Sequence, residues 1–226
     1  MTTAPSPTVP PAERAALEQA RQAVSDGGRR LVTDGLVTGT AGNVSVRVGD
    51  LVAISPSSVP YEQVGPDDVC VVDLHGRQVD GSSTLRSSTE TGLHLAVYAA
   101  TGAGAVVHHH GLRSVAVSTV VDVLPPLHYY VVRLGGPPRV APYARYGTPE
   151  LARAVSAALQ DRTAALMQNH GALTYGADLA QAFERAHLLE WLCELFVEAS
   201  ALGRPRSLST EELAEVAAAR YERQAP

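Results

Sequence analysis

The chain has 226 residues, of which 45% are hydrophobic, so it is long and apolar enough to form one substantial core. Its formal net charge of −5 lacks the basic excess that binding to a nucleic-acid backbone requires. No apolar run reaches the length of a membrane span, and no cationic segment leads into an apolar one near Met1. We therefore expect a cytoplasmic protein that binds neither nucleic acid nor a membrane.

Two features of the composition restrict the catalytic mechanisms and the cysteine chemistry that are possible. All 18 basic residues are arginine, so a mechanism that forms a Schiff base on a lysine amine is excluded. Activation of a carbonyl substrate would then depend on a metal ion or on hydrogen bonds. Cys70 and Cys193 form no paired-cysteine motif, and we expect both to be buried free thiols.

The first half of the chain predicts a helix, two hairpins and a second helix. Residues 1–11 contain four prolines and are expected to be a disordered lead-in to one domain over 12–226. Apolar residues recur at helical spacing from Ala12 to about Asp34, with an interruption expected at Gly27-Gly28. The alternating segments and the capping signal that follow predict a hairpin turning at Gly49-Asp50, a hairpin turning at His75-Gly76, and a helix over 88–100 capped by Ser88 or Thr89.

The second half alternates apolar strands with helices, which favours a single layered α/β domain. The predicted elements are a strand GAGAVVHHH, a helix or strand RSVAVSTVV, a strand HYYVVRL, a helix from Pro149 to Asp161, a strand TAALMQNHG ending in Gly171, and a helix from about Leu179 to Leu202. A capping box of Ser209 or Thr210 with Glu212 predicts a last helix.

Three consecutive histidines end the strand GAGAVVHHH. Alternate side chains of a strand share a face, so His108 and His110 should point the same way, about 6 to 7 Å apart, while His109 points opposite. Two imidazoles on one face can bind one metal ion, but zinc prefers about four donors. The pair therefore needs partners from elsewhere in the chain.

The candidate partners are His170, His128, His94 and a carboxylate. His170 is favoured because it ends an apolar strand just before a glycine, where a ligand can project into a cleft. His94 lies in the apolar stripe of its helix and is expected to pack in the core or to support a ligand. The residues after His110 lack the carboxylate of a cupin and the Asp-His pair of a metallo-β-lactamase, whereas a carbonic-anhydrase-like site using His128 stays open.

Seven segments resemble, in this order from about residue 12 onward, the class II aldolase/adducin family: GTAGNVSVR, SPSSVPYE, SSTETGLHLAVY, AVVHHHG, HYY, APYARYGT and QNHGAL. The likeness is greatest to family members that cleave ketose 1-phosphates such as L-fuculose 1-phosphate. The resemblance implies an α/β fold, a single three-layer domain with a mixed, mainly antiparallel central sheet flanked by helices. It also implies a homotetramer with active sites at subunit interfaces.

The resemblance assigns a metal site and a reaction. In this family a glutamate and three histidines bind zinc, and the matching residues are Glu90, His108, His110 and His170. This implies one Zn²⁺ per subunit, with Mn²⁺ or Co²⁺ as alternatives, and leaves His109 packed on the opposite side of the strand. The implied reaction is reversible cleavage of a phosphorylated sugar, a ketose 1-phosphate, into dihydroxyacetone phosphate and a small aldehyde through a metal-bound enediolate, with Glu90 moving the proton.

The resemblance also assigns substrate contacts. The phosphate pocket would consist of small and hydroxyl-bearing residues, namely Gly42, Asn43, Ser57, Ser58, Ser88 and Thr89. Neutral donors beside a helix N-terminus suit an anion. Ser57-Ser58 departs from the Thr-Gly pair frequent in the family, and Thr89 from a second serine, so the Ser58 side chain would narrow the pocket or shift the phosphate.

Tyrosines complete the implied site. Tyr129 matches the tyrosine acid that a neighbouring subunit contributes, with Tyr130 as the one-residue alternative. Tyr146 matches an aromatic residue of the aldehyde pocket, and Tyr221 matches a tyrosine of the C-terminal tail.

Other activities on the same fold are alternatives to cleavage. A pentulose-phosphate 4-epimerase has aspartate where this chain has Glu90, which argues for cleavage. A methylthioribulose-1-phosphate dehydratase and a sugar-acid-phosphate decarboxylase share the histidines and the glutamate, so they stay open. A non-enzymatic, adducin-like binding role is disfavoured because all four ligand types are present.

Overall fold

The computed structural model describes residues 11–81 and 84–222, and the side chains of 13–81 and 84–219. An eight-stranded sheet forms the middle layer; its strands are Asn43–Val48 (β1), Leu51–Ile54 (β2), Cys70–Asp73 (β3), Gln78–Asp80 (β4), Ala105–His109 (β5), Arg139–Ala141 (β6), Ala164–Met167 (β7) and Gly171–Gly176 (β8). Their order is β4-β3-β2-β1-β5-β8-β7-β6. Strands β6 and β7 are parallel, and the other neighbours are antiparallel.

The described chain contains six α-helices: Pro11–Thr33 (α1), Thr91–Ala100 (α2), Leu112–Ser118 (α3), Pro149–Ala158 (α4), Leu179–Leu202 (α5) and Thr210–Glu222 (α6). Helices α2 and α4 pack on one face of the sheet, and α1, α3 and α5 pack on the other. The predicted single three-layer domain with a mixed, mainly antiparallel sheet is confirmed. None of the described helices combines the length and the apolar character that crossing a membrane requires.

The alternation of side chains along β5 decides where its histidines point. Val106 packs in the core under α2 and α4, whereas Ala105 and Val107 pack in the core under α1 and α5. Successive residues of a strand face opposite sides. His108 therefore lies on the α2 side and His109 on the α5 side, as the sequence predicted.

The first helix is continuous, so the interruption predicted at Gly27-Gly28 is wrong. A Cβ atom on Gly28 would lie 2.3 Å from the ring of Tyr61, and one on Gly27 would lie 3.2 Å from a methyl group of Val44. The two glycines let α1 pack tightly against its neighbours, and this packing outweighs their low helix propensity. The helix also includes Pro11, whereas the rest of the predicted lead-in, residues 1–10, lies outside the described residues.

Helix α2 begins later than predicted. Its N-cap position is Glu90, not Ser88 or Thr89. The Ser88 hydroxyl instead accepts a hydrogen bond from the N–H of Glu90 at 3.2 Å, in the turn before the helix. This turn carries Glu90 toward the end of β5.

One predicted strand is a different structure, and another ends earlier than predicted. Residues Tyr129–Leu134 form a 3₁₀ helix, because Val131 and Leu134 are buried at the three-residue spacing of such a helix and the His128 Nδ1 accepts the N–H of Tyr130. The strand predicted for TAALMQNHG ends at Met167. Asn169 then has a positive φ of 55°, so the chain turns and begins a further strand, β8.

Several local predictions are confirmed. Both hairpins turn as predicted, the ambiguous segment RSVAVSTVV contains helix α3, and α5 spans the predicted range. Ser209 and Glu212 form the reciprocal capping box, with Ser209 N–H to Glu212 Oε2 at 2.7 Å and Glu212 N–H to Ser209 Oγ at 3.2 Å.

Candidate active site

Four side chains meet where β5 ends beside the turn between β7 and β8. His108 belongs to β5, His110 follows it, and His170 lies in the turn before β8. Strands β5 and β8 are paired, with His109 opposite Ala172, so the turn and the strand end are adjacent. Glu90 reaches the same point from the start of α2.

The four side chains are close enough to share one ion. One donor atom from each of the four residues, Glu90, His108, His110 and His170, lies within 4.8 Å of the other three. His108 Nε2 lies 3.0 Å from Glu90 Oε2 and 3.0 Å from His110 Nε2. His170 Nε2 lies 3.4 Å from Glu90 Oε1. These residues are the four that the sequence selected as ligands.

The donor set fits a divalent cation. His108 Nδ1 lies 2.9 Å from the carbonyl oxygen of Ala172, and donating to it leaves the lone pair of Nε2 directed at the cluster. The Glu90 Oε1 atom is buried and has no hydrogen-bond partner among the described residues. Three imidazoles and a carboxylate are ligands that zinc accepts.

Charges within the cluster shift its pKa values. Burial raises the pKa of Glu90, but His108, His170 and the hydrogen bond from Asn43 outweigh burial and keep it well below its ordinary value. Burial and the nearby His108 charge lower the pKa of His110 to about 3 and that of His170 to about 4. At neutral pH Glu90 is thus charged, and His110 and His170 are neutral. Burial lowers the pKa of His108, but the charge of Glu90 and the hydrogen bond with it outweigh burial and raise it. A bound cation would therefore take the place of a proton on His108.

His109 lies outside this cluster. It is fully buried on the opposite face of the sheet, and its Nδ1 accepts the N–H of Gly111 at 3.2 Å. Its Nε2 has no hydrogen-bond partner among the described residues.

The polar residues assigned to a phosphate pocket lie around Glu90. Pro56 and Ser87 form an isolated antiparallel bridge, flanked by hydrogen bonds from Ser57 N–H to Arg86 O at 2.8 Å and from Ser88 N–H to Ser55 O at 3.1 Å. This bridge brings the segment of Ser57 and Ser58 beside the segment of Ser88 and Thr89. Ser58 has a φ of 61°, a left-handed conformation that favours glycine.

Gly42 and Asn43 border the same region from β1. Asn43 is buried and donates from Nδ2 to Glu90 Oε2 at 3.1 Å. Gly42 packs against the backbone of His108, and its carbonyl oxygen accepts the Tyr61 hydroxyl at 2.6 Å.

Two of the tyrosines assigned by the sequence, Tyr129 and Tyr146, are exposed. Tyr129 is 47% exposed, stacks on His128, and makes no hydrogen bond or ring contact with the cluster within the described part of the chain. Tyr146 is 63% exposed in the loop before α4. The side chain of Tyr221 lies outside what the structure describes.

Sequence reasoning missed some residues behind the site. Ser45 and Tyr98 join His94 in buried hydrogen bonds. The sequence does contain a pattern that could have indicated them. Glu90, His94 and Tyr98 are spaced i, i+4 and so share one helix face, and Asn43 and Ser45 are alternate residues of one strand and so share one sheet face.

Comparison with known proteins identifies the family. Residues 22–197 match the family described as Class II Aldolase and Adducin N-terminal domain. The chain belongs to this family. As the sequence predicted, it is an enzyme of the aldolase type, a lyase of a metal-dependent family.

Sugar-phosphate aldolases are among the proteins similar to this chain. The chain is 39% identical over 185 residues to the L-fuculose phosphate aldolase of Escherichia coli O6:H1, covering 80% of this chain and 85% of the relative. It is 34% identical over 208 residues to the 5-methylthioribulose-1-phosphate/5-deoxyribulose-1-phosphate aldolase of Rhodospirillum rubrum, covering 91% of each. A solved structure of L-fuculose 1-phosphate aldolase superposes with a TM-score of 0.84 at 32% identity, covering 90% of this chain and 96% of that one.

Proposed function

We propose that the protein is a zinc-dependent aldolase that reversibly cleaves a ketose 1-phosphate, similar to L-fuculose 1-phosphate, into dihydroxyacetone phosphate and a small aldehyde. The observation that carries this proposal is the cluster of one carboxylate and three imidazoles whose donor atoms lie within 4.8 Å of one another. The family and the aldolase relatives support it. We expect the enzyme to act in the cytoplasm.

Glu90, His108, His110 and His170 would hold one zinc ion per subunit, with Mn²⁺ or Co²⁺ as alternatives. A bound ion would supply Lewis-acid stabilisation of the negative charge that develops on the substrate oxygens as the carbon–carbon bond breaks. The hydrogen bond from His108 to Ala172 O would keep the imidazole turned toward the ion.

Glu90 would also move the proton at the donor carbon. Its Oε2 accepts a hydrogen bond from Asn43 Nδ2, whereas its buried Oε1 lies 3.4 Å from His170 Nε2 and has no hydrogen-bond partner among the described residues. Once the substrate displaces the carboxylate from the ion, Glu90 would take a proton from the substrate and return it.

The phosphate would bind among neutral donors. Ser88 and Thr89 belong to the turn before α2, Ser57 and Ser58 follow the Pro56–Ser87 bridge beside it, and Gly42 and Asn43 adjoin His108 and Glu90. These residues offer amide and hydroxyl hydrogens without a formal positive charge. Ser58 has a left-handed conformation, which suits the glycine that the family resemblance implies at this position. Its hydroxyl, 3.3 Å from that of Ser57, would add a donor.

Tyrosines would contact the aldehyde end of the substrate, and one of them would come from a neighbouring subunit. We propose a homotetramer in which Tyr129, exposed on its own chain, donates a proton to the aldehyde oxygen of the adjacent site. Tyr146 and Tyr221 would line the aldehyde pocket.

A second candidate is cleavage of 5-methylthioribulose 1-phosphate or 5-deoxyribulose 1-phosphate. It is favoured by the R. rubrum relative, which is 34% identical and covers more of this chain than the L-fuculose phosphate aldolase does. Dehydration, epimerisation and decarboxylation on the same fold stay as alternatives that the assay below separates.

The test is retro-aldol turnover by the metal-loaded protein on L-fuculose, L-rhamnulose, ribulose and 5-methylthioribulose 1-phosphates, with and without a chelator. Release of dihydroxyacetone phosphate that the chelator abolishes and zinc restores is expected, and the preferred substrate identifies the aldehyde. Substrate loss without that product would contradict cleavage and indicate one of the alternative reactions.

The paired variants Tyr129→Phe and Tyr130→Phe test the proton donor. Loss of a general acid should lower kcat about 100-fold or more in Tyr129→Phe. Tyr130→Phe serves as the matched control and should retain turnover. The reverse result would assign the role to Tyr130.

A further inference from the structure

A chain of buried hydrogen bonds connects Glu90 to the interior of the protein. Asn43 Nδ2 lies 3.1 Å from Glu90 Oε2, and Asn43 Oδ1 lies 2.5 Å from His94 Nε2. His94 Nδ1 lies 2.6 Å from Ser45 Oγ, which lies 2.7 Å from the hydroxyl oxygen of Tyr98. All five residues are buried.

The chain follows from the periods of a helix and a strand. Glu90, His94 and Tyr98 succeed one another at i, i+4 spacing and share one face of the α2 region. Asn43 and Ser45 are alternate residues of β1 and share one face of the sheet. The two rows pack together, so each helix residue meets its partner on the strand.

The hydrogen bonds of this chain have one consistent direction. A carboxylate only accepts, so Asn43 presents its amide nitrogen to Glu90 and its carbonyl oxygen to His94. The Nε2 of His94 then carries the proton, its Nδ1 accepts from Ser45, and the Ser45 oxygen accepts from Tyr98. Each group therefore determines the orientation of the next.

The opposite orientation of the Asn43 amide is unfavourable. It would place the carbonyl oxygen of Asn43 against Glu90 Oε2, and two acceptors would then face each other in a buried site. The tautomer of His94 excludes this orientation. The group that fixes the tautomer of His94 therefore also fixes the orientation of the Glu90 carboxylate.

We propose that His94, Ser45 and Tyr98 are positioning residues that fix the Asn43 amide and, through it, the orientation of Glu90 toward a metal ion. This inference rests on the proposed function, because it takes Glu90 as a ligand. It assigns to three residues outside the donor cluster an effect on metal affinity and geometry.

Ser45→Ala and Ser25→Ala form a matched pair for the test. Both serines are buried, and each loses one hydroxyl, but Ser25 donates to the carbonyl oxygen of Val64 and lies outside the chain. Co²⁺ is titrated into each metal-free protein, and the d–d absorption bands report ligand geometry. Ser45→Ala should bind Co²⁺ about 10-fold more weakly than the unmodified protein, with shifted bands. Ser25→Ala should match the unmodified protein.

A double-mutant cycle separates positioning from stability. In an Asn43→Ala background the link to Glu90 is absent, so adding Ser45→Ala should weaken Co²⁺ binding no further, although each change still lowers the melting temperature. Tyr98→Phe should shift the bands in the same direction as Ser45→Ala and keeps the test available if Ser45→Ala does not fold.

The outcomes distinguish the two proposals. Failure of the unmodified protein to bind Co²⁺ would overturn the proposed metal site and this inference together. Normal Co²⁺ binding in which Ser45→Ala and Tyr98→Phe both behave like Ser25→Ala would overturn the positioning role alone.

Discussion

Gly42 is the point where the loop before β1 touches the end of β5. Its φ is +73°, and a Cβ atom there would lie 2.7 Å from the carbonyl oxygen of His108 and 2.8 Å from a methyl group of Val37. Both the conformation and the space therefore exclude a side chain. The residue holds the strand that carries His108 beside the strand that carries Asn43.

We predict that Gly42→Ala destabilises the protein more than Gly39→Ala does. Gly39 has a similar φ of +65°, but a Cβ atom there would meet no described atom within 4 Å. Gly39→Ala should lose roughly 1 to 2 kcal/mol from the left-handed conformation alone. Gly42→Ala should lose about 1 to 3 kcal/mol more from overpacking. Urea unfolding measures both, and equal losses would contradict the argument.

The two cysteines should be unreactive in the folded protein. Cys70 and Cys193 are free and fully buried, and burial raises the pKa of Cys193 to about 12. The thiolate is the reactive form, and it is populated only as pH approaches the pKa. Reaction with an aromatic disulfide should therefore stay slow from pH 7 to pH 9, and both thiols should react in denaturant. Fast labelling of the native protein would refute this prediction.

At the scale of elements, Glu190 connects α5 to the start of α3. Its carboxylate accepts the N–H groups of Arg113 and Ser114, at 2.8 and 3.0 Å, and the Ser114 hydroxyl at 2.5 Å. Free N–H groups at a helix start need acceptors, and a negative charge there is favourable. Helix α3 follows His110 directly, so this contact anchors the segment that carries the histidines.

We predict that Glu190→Ala lowers the free energy of unfolding by about 2 kcal/mol, because the start of α3 loses its acceptor. Glu198→Ala is the control. Glu198 lies on the same helix, but it is exposed and its contact with Arg113 is a long ion pair of 3.9 Å, so its loss should lower the free energy of unfolding by less than about 0.5 kcal/mol. Chemical denaturation measures both variants. Similar values for the two would show that the capping contact contributes nothing.

At the scale of the whole molecule, the proposed metal site joins distant parts of the chain. Its ligands come from the start of α2, from the end of β5, and from the turn between β7 and β8. A ligand that binds only the folded state stabilises it by mass action. Metal occupancy should therefore be measurable as global stability.

We predict that Zn²⁺ at about 100 times its Kd raises the melting temperature by roughly 5 to 10 °C, which corresponds to about 2.7 kcal/mol in a chain of this size. Differential scanning calorimetry with Zn²⁺ or with chelator measures the shift. His170→Ala removes one donor and should lose most of it. His75→Ala, a change in an exposed hairpin turn, should keep it. A shift that survives in His170→Ala would place the ion elsewhere.

Much of the sheet was predictable from the sequence because its signals are local. The hairpins at Gly49-Asp50 and His75-Gly76 combine alternating apolar residues with turn residues, and the capping box at Ser209 is encoded within four positions. The four residues predicted as metal ligands do lie together, and they were selected because the family motifs that contain them are distinctive. The pairing of β5 with β8 brings the three histidines together, and the start of α2 adds Glu90, so that the donor atoms lie within 4.8 Å of one another.

Elements whose form depends on distant contacts were not predictable in this way. The segment HYYVVRL has the apolar composition of a strand, but burial of Val131 and Leu134 on one side makes it a 3₁₀ helix. The Gly27-Gly28 pair predicts an interruption, yet the helix is continuous because Val44 packs closely against Gly27 and Tyr61 against Gly28.

The sequence by itself determined the family, the layered α/β class and the types of the donor side chains, since these depend on residue identity and short-range periodicity. Only the tertiary structure decided which side chains support Glu90. The hydrogen bonds through Asn43, His94, Ser45 and Tyr98 join residues that lie far apart along the chain. Their physical basis is burial, because polar groups enclosed between α2 and β1 lose contact with water and are stabilised by hydrogen bonds to one another.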